Sequence, residues 1–254
     1  MNREYKAKSQ ACYSVIGNSQ TLALGGQPAV NKTNFQLTGT PQKPVMLGVL
    51  NIGATQKGVI NDIKVAGQSV FCSDSSADIS MFQTNSHAVQ ERYCGIALGA
   101  GLDIFIDGTL AEAGNAYFAW MVDEITAPVS KAEQTAMYDY VFGLGSASIA
   151  AASSGTLRAV SVRPCTLGEL ILSTTTDADV GDLFVTSVKV GGEELLTGAG
   201  DQEINLATFD YHQPNIQGAN LDFAIGSNVP VQITIKNVND TNARTVRGGI
   251  FCRA

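Results

Sequence analysis

The chain has 254 residues, of which only 15% are charged, and its formal net charge at neutral pH is −7. A charged fraction below the usual value of about 25% indicates a surface partly covered by other subunits. The acidic balance excludes a protein whose main task is sequence-specific binding of nucleic acid, because phosphate binding needs a concentrated basic surface. No stretch approaches the roughly 20 apolar residues of a membrane span.

The first 33 residues have no counterpart later in the chain, and we interpret 1–33 as an N-terminal arm. Two segments in it, 12–16 (CYSVI) and 21–24 (TLAL), have the composition of short strands. The arm is expected either to add a strand to the first domain or to reach a neighbouring subunit, and the sequence leaves both alternatives open.

Strand-like runs then recur in the same order in two parts of the chain. Residues 47–50 (LGVL) reappear as 167–170 (LGEL), and 63–67 (IKVAG) reappear as 188–192 (VKVGG). Further on, Ile79 is matched with Ile204, and the run 103–107 (DIFID) is matched with 232–236 (QITIK). Self-similarity at a nearly constant offset is the signature of repeated structural units, so two β domains of one design are predicted in tandem.

The local patterns within each copy predict β-sandwiches. Ile104 and Ile106 alternate with polar or exposed positions, as in a half-buried strand. Several such runs at roughly 8–12-residue spacing, separated by glycine turns, are typical of a sandwich or barrel. The predicted domains are 34–127 and 156–254, and the predicted fold class is all-β.

One helix is predicted between the two copies. Residues 130–133 (SKAE) form a capping box just after Pro128. Apolar residues at helical spacing follow, with Gly143 and Gly145 as the end of the helix. The stripe contains Ala132, Ala136, Met137, Tyr140, Val141 and Leu144. Residues 146–155 are interpreted as a flexible linker, so that 128–155 is a helix-containing linker whose Met137 and Tyr140 are candidates for a subunit interface.

The second copy carries a recognisable order of segments: 188–195 (VKVGGEEL), 204–209, 231–237 (VQITIKN) and a closing 247–251 (RGGIF). This order resembles the double jelly-roll major capsid proteins of tailless icosahedral viruses, bacteriophages among them, in the lineage that includes adenovirus hexon. The resemblance covers residues 34–254. It implies two tandem eight-stranded jelly-roll β-sandwiches and a homotrimer that acts as a pseudo-hexameric block.

The same resemblance implies a location and a set of partners. The location is the capsid of the virion, assembled in the host cytoplasm. The partners are neighbouring capsomers, penton or minor capsid proteins and an internal membrane. The family carries no catalytic residues and no cofactor to transfer.

Two histidines occupy equivalent connecting segments. His87 and His212 are separated by 125 residues, the offset of the surrounding repeat. They are interpreted either as interface contacts, which would titrate near neutral pH, or as solvated loop residues.

Three carboxylates are gathered at Asp177, Asp179 and Asp182. Calcium takes oxygen ligands from loops of this kind, so they are the candidate metal ligands. A solvated turn is the alternative, because aspartate is a good turn former. No other cofactor is expected.

The remaining distinctive residues are interpreted as structural. The five cysteines include no close pair, which predicts half-buried, reduced thiols rather than a zinc cluster or a disulfide framework. They are Cys12, Cys72, Cys94, Cys165 and Cys252. Trp120 is predicted to pack in a core. The arginines of the C-terminal run, Arg244, Arg247 and Arg253, are predicted to lie on a solvated strand face.

The sequence therefore favours a structural protein without enzymatic activity, a capsid subunit that trimerises and tiles a viral shell. The alternative is a two-domain carbohydrate-binding or adhesive spike protein of a virion, which would present exposed aromatic residues. A cupin-like or glycosidic enzyme is disfavoured, because a cupin-type metal site needs several clustered histidines and the chain has 2.

Overall fold

The computed structural model describes residues 13–21, 33–82, 96–124, 140–174, 177–196, 203–209 and 219–253. These residues form an all-β structure of antiparallel sheets, and none of their helices reaches seven residues. Within the described ranges, no helix is long and apolar enough to cross a membrane. The all-β class predicted from the alternating runs is confirmed.

The first half of the chain, residues 13–124, contains two sheets. Sheet I has the order β1-β9-β3-β7, and sheet II has the order β2-β8-β4-β5 with β6 also paired to β4. The strands are β1 (Tyr13–Thr21), β2 (Asn34–Gly39), β3 (Val45–Ala54), β4 (Gly58–Val65), β5 (Gln68–Ser69), β6 (Ala77–Asp78), β7 (Ile96–Leu98), β8 (Ile104–Leu110) and β9 (Asn115–Glu124). Buried and half-buried residues alternate along β8, so one face of sheet II is turned inward.

The second half, residues 140–253, also contains two sheets. Sheet III has the order β10-β18-β12-β16, and sheet IV has the order β11-β17-β13-β14 with β15 also paired to β13. The strands are β10 (Tyr140–Ile149), β11 (Ser154–Val160), β12 (Cys165–Thr174), β13 (Leu183–Val190), β14 (Glu193–Glu194), β15 (Ile204–Asn205), β16 (Ala219–Ile225), β17 (Pro230–Asn237) and β18 (Arg244–Arg253).

The two halves repeat one strand order, because adding nine to each strand number of sheets I and II gives sheets III and IV. Irregularities in the ladders also recur at equivalent places, at 47–50 of β3 and 167–170 of β12, and at 60–62 of β4 and 185–187 of β13. A β-bulge bends its strand and re-aims the residues that follow. The same bends therefore shape both halves.

The ladder registers correct one of the matches made from the sequence. Ile104 stands opposite Val65, and Val231 stands opposite Val190. Because Val65 and Val190 are themselves equivalent, Ile104 corresponds to Val231 and not to Ile233. The match was wrong by two residues, a shift that the sequence pattern cannot reveal because side chains alternate with a period of two.

A second match is wrong by the same amount. Ala77 stands opposite Ile60, and Ile204 stands opposite Val185, the counterpart of Ile60. Ile204 therefore corresponds to Ala77 and not to Ile79. Ile79 itself begins a short 3-10 helix, Ile79–Phe82.

Each pair of sheets encloses a hydrophobic cluster. Trp120 and Leu47 of sheet I pack with Phe35 and Ile63 of sheet II. Trp120 is 1% exposed, so its predicted place in a core is confirmed. The second cluster joins residues of sheets III and IV in the same way, among them Phe142, Leu172, Val188 and Ile233.

The predicted linker helix is wrong in its second part. Tyr140–Ile149 is strand β10, which pairs along its length with β18, and the segment predicted as a flexible linker is occupied by β10 and β11. Val141 and Leu144 are buried, but as residues of this strand and not as the apolar stripe of a helix. The first part of the predicted helix, including Met137, lies outside the described residues.

The arm contributes a strand to the first half. Tyr13–Thr21 is β1, which pairs antiparallel with β9 at the edge of sheet I. This is the first of the two alternatives left open by the sequence. The other residues before position 33 lie outside the described ranges.

Candidate functional site: the junction between the halves

The junction segment, which we define as residues 70–82, connects the two halves. It follows β5 in the first half and lies against sheet III of the second. Cys72 N–H donates to the Val141 carbonyl at 2.9 Å, and Val141 N–H donates to the Val70 carbonyl at 3.0 Å. Gly145 N–H donates to the Ser76 carbonyl at 2.8 Å. These bonds fix the two halves relative to one another through the backbone.

Apolar side chains bury the outward face of sheet III at this junction. Phe82 of the segment meets Phe251 of β18 edge to face, with ring centroids 5.8 Å apart. Val141, Ile171 and Phe251, all from the second half, belong to the core cluster of the first half. Each fully buried side chain of this size contributes about 1.5–3 kcal/mol, so the junction stabilises both halves together.

Glycines allow the close approach. A Cβ atom on Gly143 of β10 would collide with the carbonyl oxygens of Ser75 and Ser76, and one on Gly249 of β18 would press on the Met81 sulfur. The helix-ending role predicted for Gly143 is therefore replaced by a packing role in a strand.

A buried carboxylate also links the halves. Asp78, which is 1% exposed, accepts hydrogen bonds from Ser80 N–H at 2.7 Å and from the Ser173 hydroxyl of β12.

Arg247 on β18 is 9% exposed, so the prediction that it lies on a solvated face is wrong. The outward face of sheet III is solvated only where the first half does not cover it.

The open side of the junction is a polar cleft of about 550 Å³. Arg163 lines it, and its Nη2 donates to the Ser69 carbonyl at 3.0 Å. The same guanidinium lies 5.0 Å from the centre of the Tyr140 ring, a cation–π distance. Tyr140, predicted at an interface between subunits, thus contacts the arginine that bridges the two halves of its own chain.

Three cysteines meet at the junction. The sulfur atoms of Cys72, Cys165 and Cys252 all lie within 4.8 Å of one another. The side chains are buried, with exposed fractions of 0%, 5% and 0%, and none of the three forms a disulfide. Cys72 comes from the junction segment, and the other two come from neighbouring strands of sheet III.

The thiols influence one another. Hydrogen bonds from Cys252 and Cys72 lower the pKa of Cys165 below its ordinary value, and the positive charge of Arg163 adds to this effect. The hydrogen bond to Cys165 raises the pKa of Cys72, and burial raises that of Cys252. The cluster therefore holds one thiolate more readily than three.

The candidate calcium ligands have a different environment. Arg244 lies 3.0 Å from the Asp179 carboxylate and 2.7 Å from that of Asp182. Hydrogen bonds from Arg244, and then from Asn239, lower the pKa of Asp182. A guanidinium here supplies the positive charge that the calcium hypothesis assigns to a metal. Asp177 begins the same 3-10 helix, Asp177–Asp182.

The other predicted interface residues, His87 and His212, lie outside the described residues. The cysteine cluster was missed by sequence reasoning, since its members are 93 and 87 positions apart and no local motif unites them. The available signal was weak: two of them, Cys165 and Cys252, fall within one predicted domain.

No family model matches the chain, and no curated protein matches it.

Proposed function

We propose that this chain is the major structural subunit of an icosahedral viral shell. Each half is a jelly roll in this proposal, with β5 and β6 together forming one edge position, which gives eight strand positions per half. Three chains form a pseudo-hexameric ring, and the rings tile the capsid. The chain acts by association and carries no enzymatic step.

The observation that carries the proposal is the repeated strand order of the two halves, together with their fixed junction. A jelly roll folds two Greek keys into a pair of four-stranded sheets, and the sheet orders β1-β9-β3-β7 and β2-β8-β4-β5 support that arrangement for the first half. A unit that contacts its copy within one chain through a buried face can form the same kind of contact with the next chain. Repeating this contact around an axis produces a ring.

The contact within the chain is of the head-to-tail type. The first half donates its segment after β5, and the second half receives it on the outward face of sheet III. The second half has its own segment after β14, described at 195–196 and 203–209, and the first half has its own sheet I. Head-to-tail contacts form closed rings when the rotation closes. In this proposal, that segment and the outward face of sheet I are the donor and the receiver of the contacts between the three chains.

Tyr117 marks the receiving face of the first half. It lies on β9, faces away from the core, is 49% exposed and crosses the backbone of Gly53. Its counterpart in the second half is Arg247, which the junction buries. In the proposed trimer a neighbouring chain covers Tyr117 in the same way.

The test is the mass of the purified protein, measured by light scattering during gel filtration. The expected result is a trimer, and a monomer at high concentration would contradict the proposal. Tyr117→Lys is expected to shift the trimer to monomers without changing the melting temperature of the monomer. Leu102→Lys, which changes another exposed apolar residue in the β7–β8 loop, is the matched control and should remain trimeric.

Particle imaging tests the further step from trimer to shell. Trimers that assemble into closed shells, alone or with virion proteins, support the capsid proposal. Trimers that bind glycans and never assemble would support the adhesive alternative instead. The partners proposed beyond the trimer are neighbouring capsomers, penton or minor capsid proteins and an internal membrane.

A further inference from the structure

The three-cysteine cluster has the composition and compactness of a metal site. Thiolate sulfur is the ligand that Zn²⁺ and Cu⁺ favour among protein groups. Around zinc, with sulfur at about 2.3 Å in tetrahedral geometry, two sulfurs are about 3.8 Å apart. The three Sγ atoms, all within 4.8 Å of one another, need only small side-chain rotations to reach that separation.

The backbone holds the three cysteines in place before any ion arrives. Cys72 is bonded to the second half on both sides, through its N–H to Val141 and through its carbonyl to Val162 N–H at 2.8 Å. Cys252 lies between Tyr140 and Leu167 in sheet III, and Cys165 stands opposite Ile225. A preorganised set of ligands loses little conformational entropy on binding.

The surrounding charge suits a bound cation with three thiolates. When the three thiols bind Zn²⁺, their three protons are released to solvent and the site carries one net negative charge. Arg163 compensates that charge, since its guanidinium is held beside the cluster by the Ser69 carbonyl and the Tyr140 ring. Burying a charge is unfavourable unless the charge is paired. This arginine therefore lowers the free-energy cost of keeping the metal-bound site in the interior.

We propose that Cys72, Cys165 and Cys252 bind one thiophilic d¹⁰ cation, Zn²⁺ or Cu⁺, which ties the first half to sheet III of the second. The site is independent of the shell proposal, because every ligand comes from one chain. Zn²⁺ would complete its coordination with water or a backbone carbonyl, whereas Cu⁺ accepts three sulfurs alone.

The experiment uses the full-length chain with the Cys12→Ser and Cys94→Ser substitutions, so that the cluster supplies every remaining thiol. The protein is reduced, stripped with a chelator and titrated with Co²⁺ as the probe for zinc. We expect a sulfur-to-cobalt charge-transfer band that saturates at one ion per chain and disappears when Zn²⁺ is added. In a parallel experiment, Cu⁺ is supplied as a complex with a chromogenic chelator, from which the protein must remove it. The ion with the lower dissociation constant is the preferred one.

Cys72→Ala in the same background should reduce binding at least tenfold in both arms. Binding that survives this change would overturn the proposal. So would a folded parent protein, judged by a cooperative melt, that gives no cobalt band and takes no Cu⁺ from the chelator. A parent chain that forms a disulfide within the cluster even under reducing conditions would also overturn it, and intact mass detects that bond as the loss of two hydrogens. The second and third results are obtained on the parent protein, so they do not depend on the variant folding well.

Discussion

The two halves of the chain share a strand order but differ in what covers them. Sheet III of the second half is covered on its outward face by the junction segment, whereas Tyr117 on the same face of sheet I is 49% exposed. The positions of Cys165 and Cys252 are occupied in the first half by Val45 and Val122, as the ladder registers show. The two halves share a framework, and their outward faces differ in what lies against them.

The largest expected effect comes from removing the aromatic anchor of the covered face. Phe251→Ala should lower the free energy of unfolding by about 3–5 kcal/mol, the usual cost of truncating a buried phenylalanine. The side chain is 6% exposed and packs against Phe82. Chemical denaturation followed by circular dichroism measures the loss.

Tyr117→Ala, at the exposed residue on the same face of sheet I, is the matched variant in the first half. The comparison between the halves predicts that it weakens association of chains more than the stability of one chain. If both variants destabilise the monomer equally, the two faces do not differ as described.

An intermediate effect is expected where the backbones approach most closely. Gly143→Ala should cost about 1–3 kcal/mol, because its Cβ meets backbone carbonyls that cannot turn aside. Gly226→Ala is the control, since a Cβ there has open space around it. The melting temperatures of the two variants, measured by thermal denaturation, test this prediction. Equal melting temperatures would show that the backbones at Gly143 do not approach as closely as the structure describes.

The smallest expected effect concerns the carboxylates that form ion pairs with Arg244. The pKa of Asp182 is lowered in the folded state, so its contribution to stability is fully present above its ordinary pKa and is lost as pH falls through the lower folded value. Asp182→Asn should therefore be slightly less stable than the parent at neutral pH. The difference should close below about pH 4.

Melting temperatures across pH, measured at low salt, test this expectation. Asp240→Asn is a control at an exposed position in the neighbouring turn. A gap between Asp182→Asn and the parent that persists unchanged at acidic pH would refute the assigned role of the Arg244 ion pair.

Much of the framework could be predicted from the sequence, because alternation in runs such as Ile104–Leu110 depends only on which face is buried. The duplication was readable for the same reason. The exact alignment was not, since matching Ile104 to Ile233 instead of Val231 leaves every buried residue on its correct face. Patterns of period two do not distinguish registers that differ by two.

The errors at the junction have another physical cause. Tyr140, Val141 and Leu144 fit a helical stripe, and local propensity favoured it, but β18 offers a full ladder of backbone hydrogen bonds and tertiary pairing decided the outcome. The cysteine cluster was equally invisible, because Cys165 and Cys252 meet only when sheet III forms and Cys72 joins them only when the halves pack. Contacts between distant segments leave no local pattern.

The junction segment also has a kinetic consequence. Its two partners are tethered in one polypeptide, so their encounter is intramolecular and proceeds at a high effective concentration, independent of how dilute the protein is. In a ring of three such chains, half of the contacts would already exist before any collision. Nucleation of a ring from three chains would then require fewer simultaneous encounters than nucleation of a ring from six separate sandwiches.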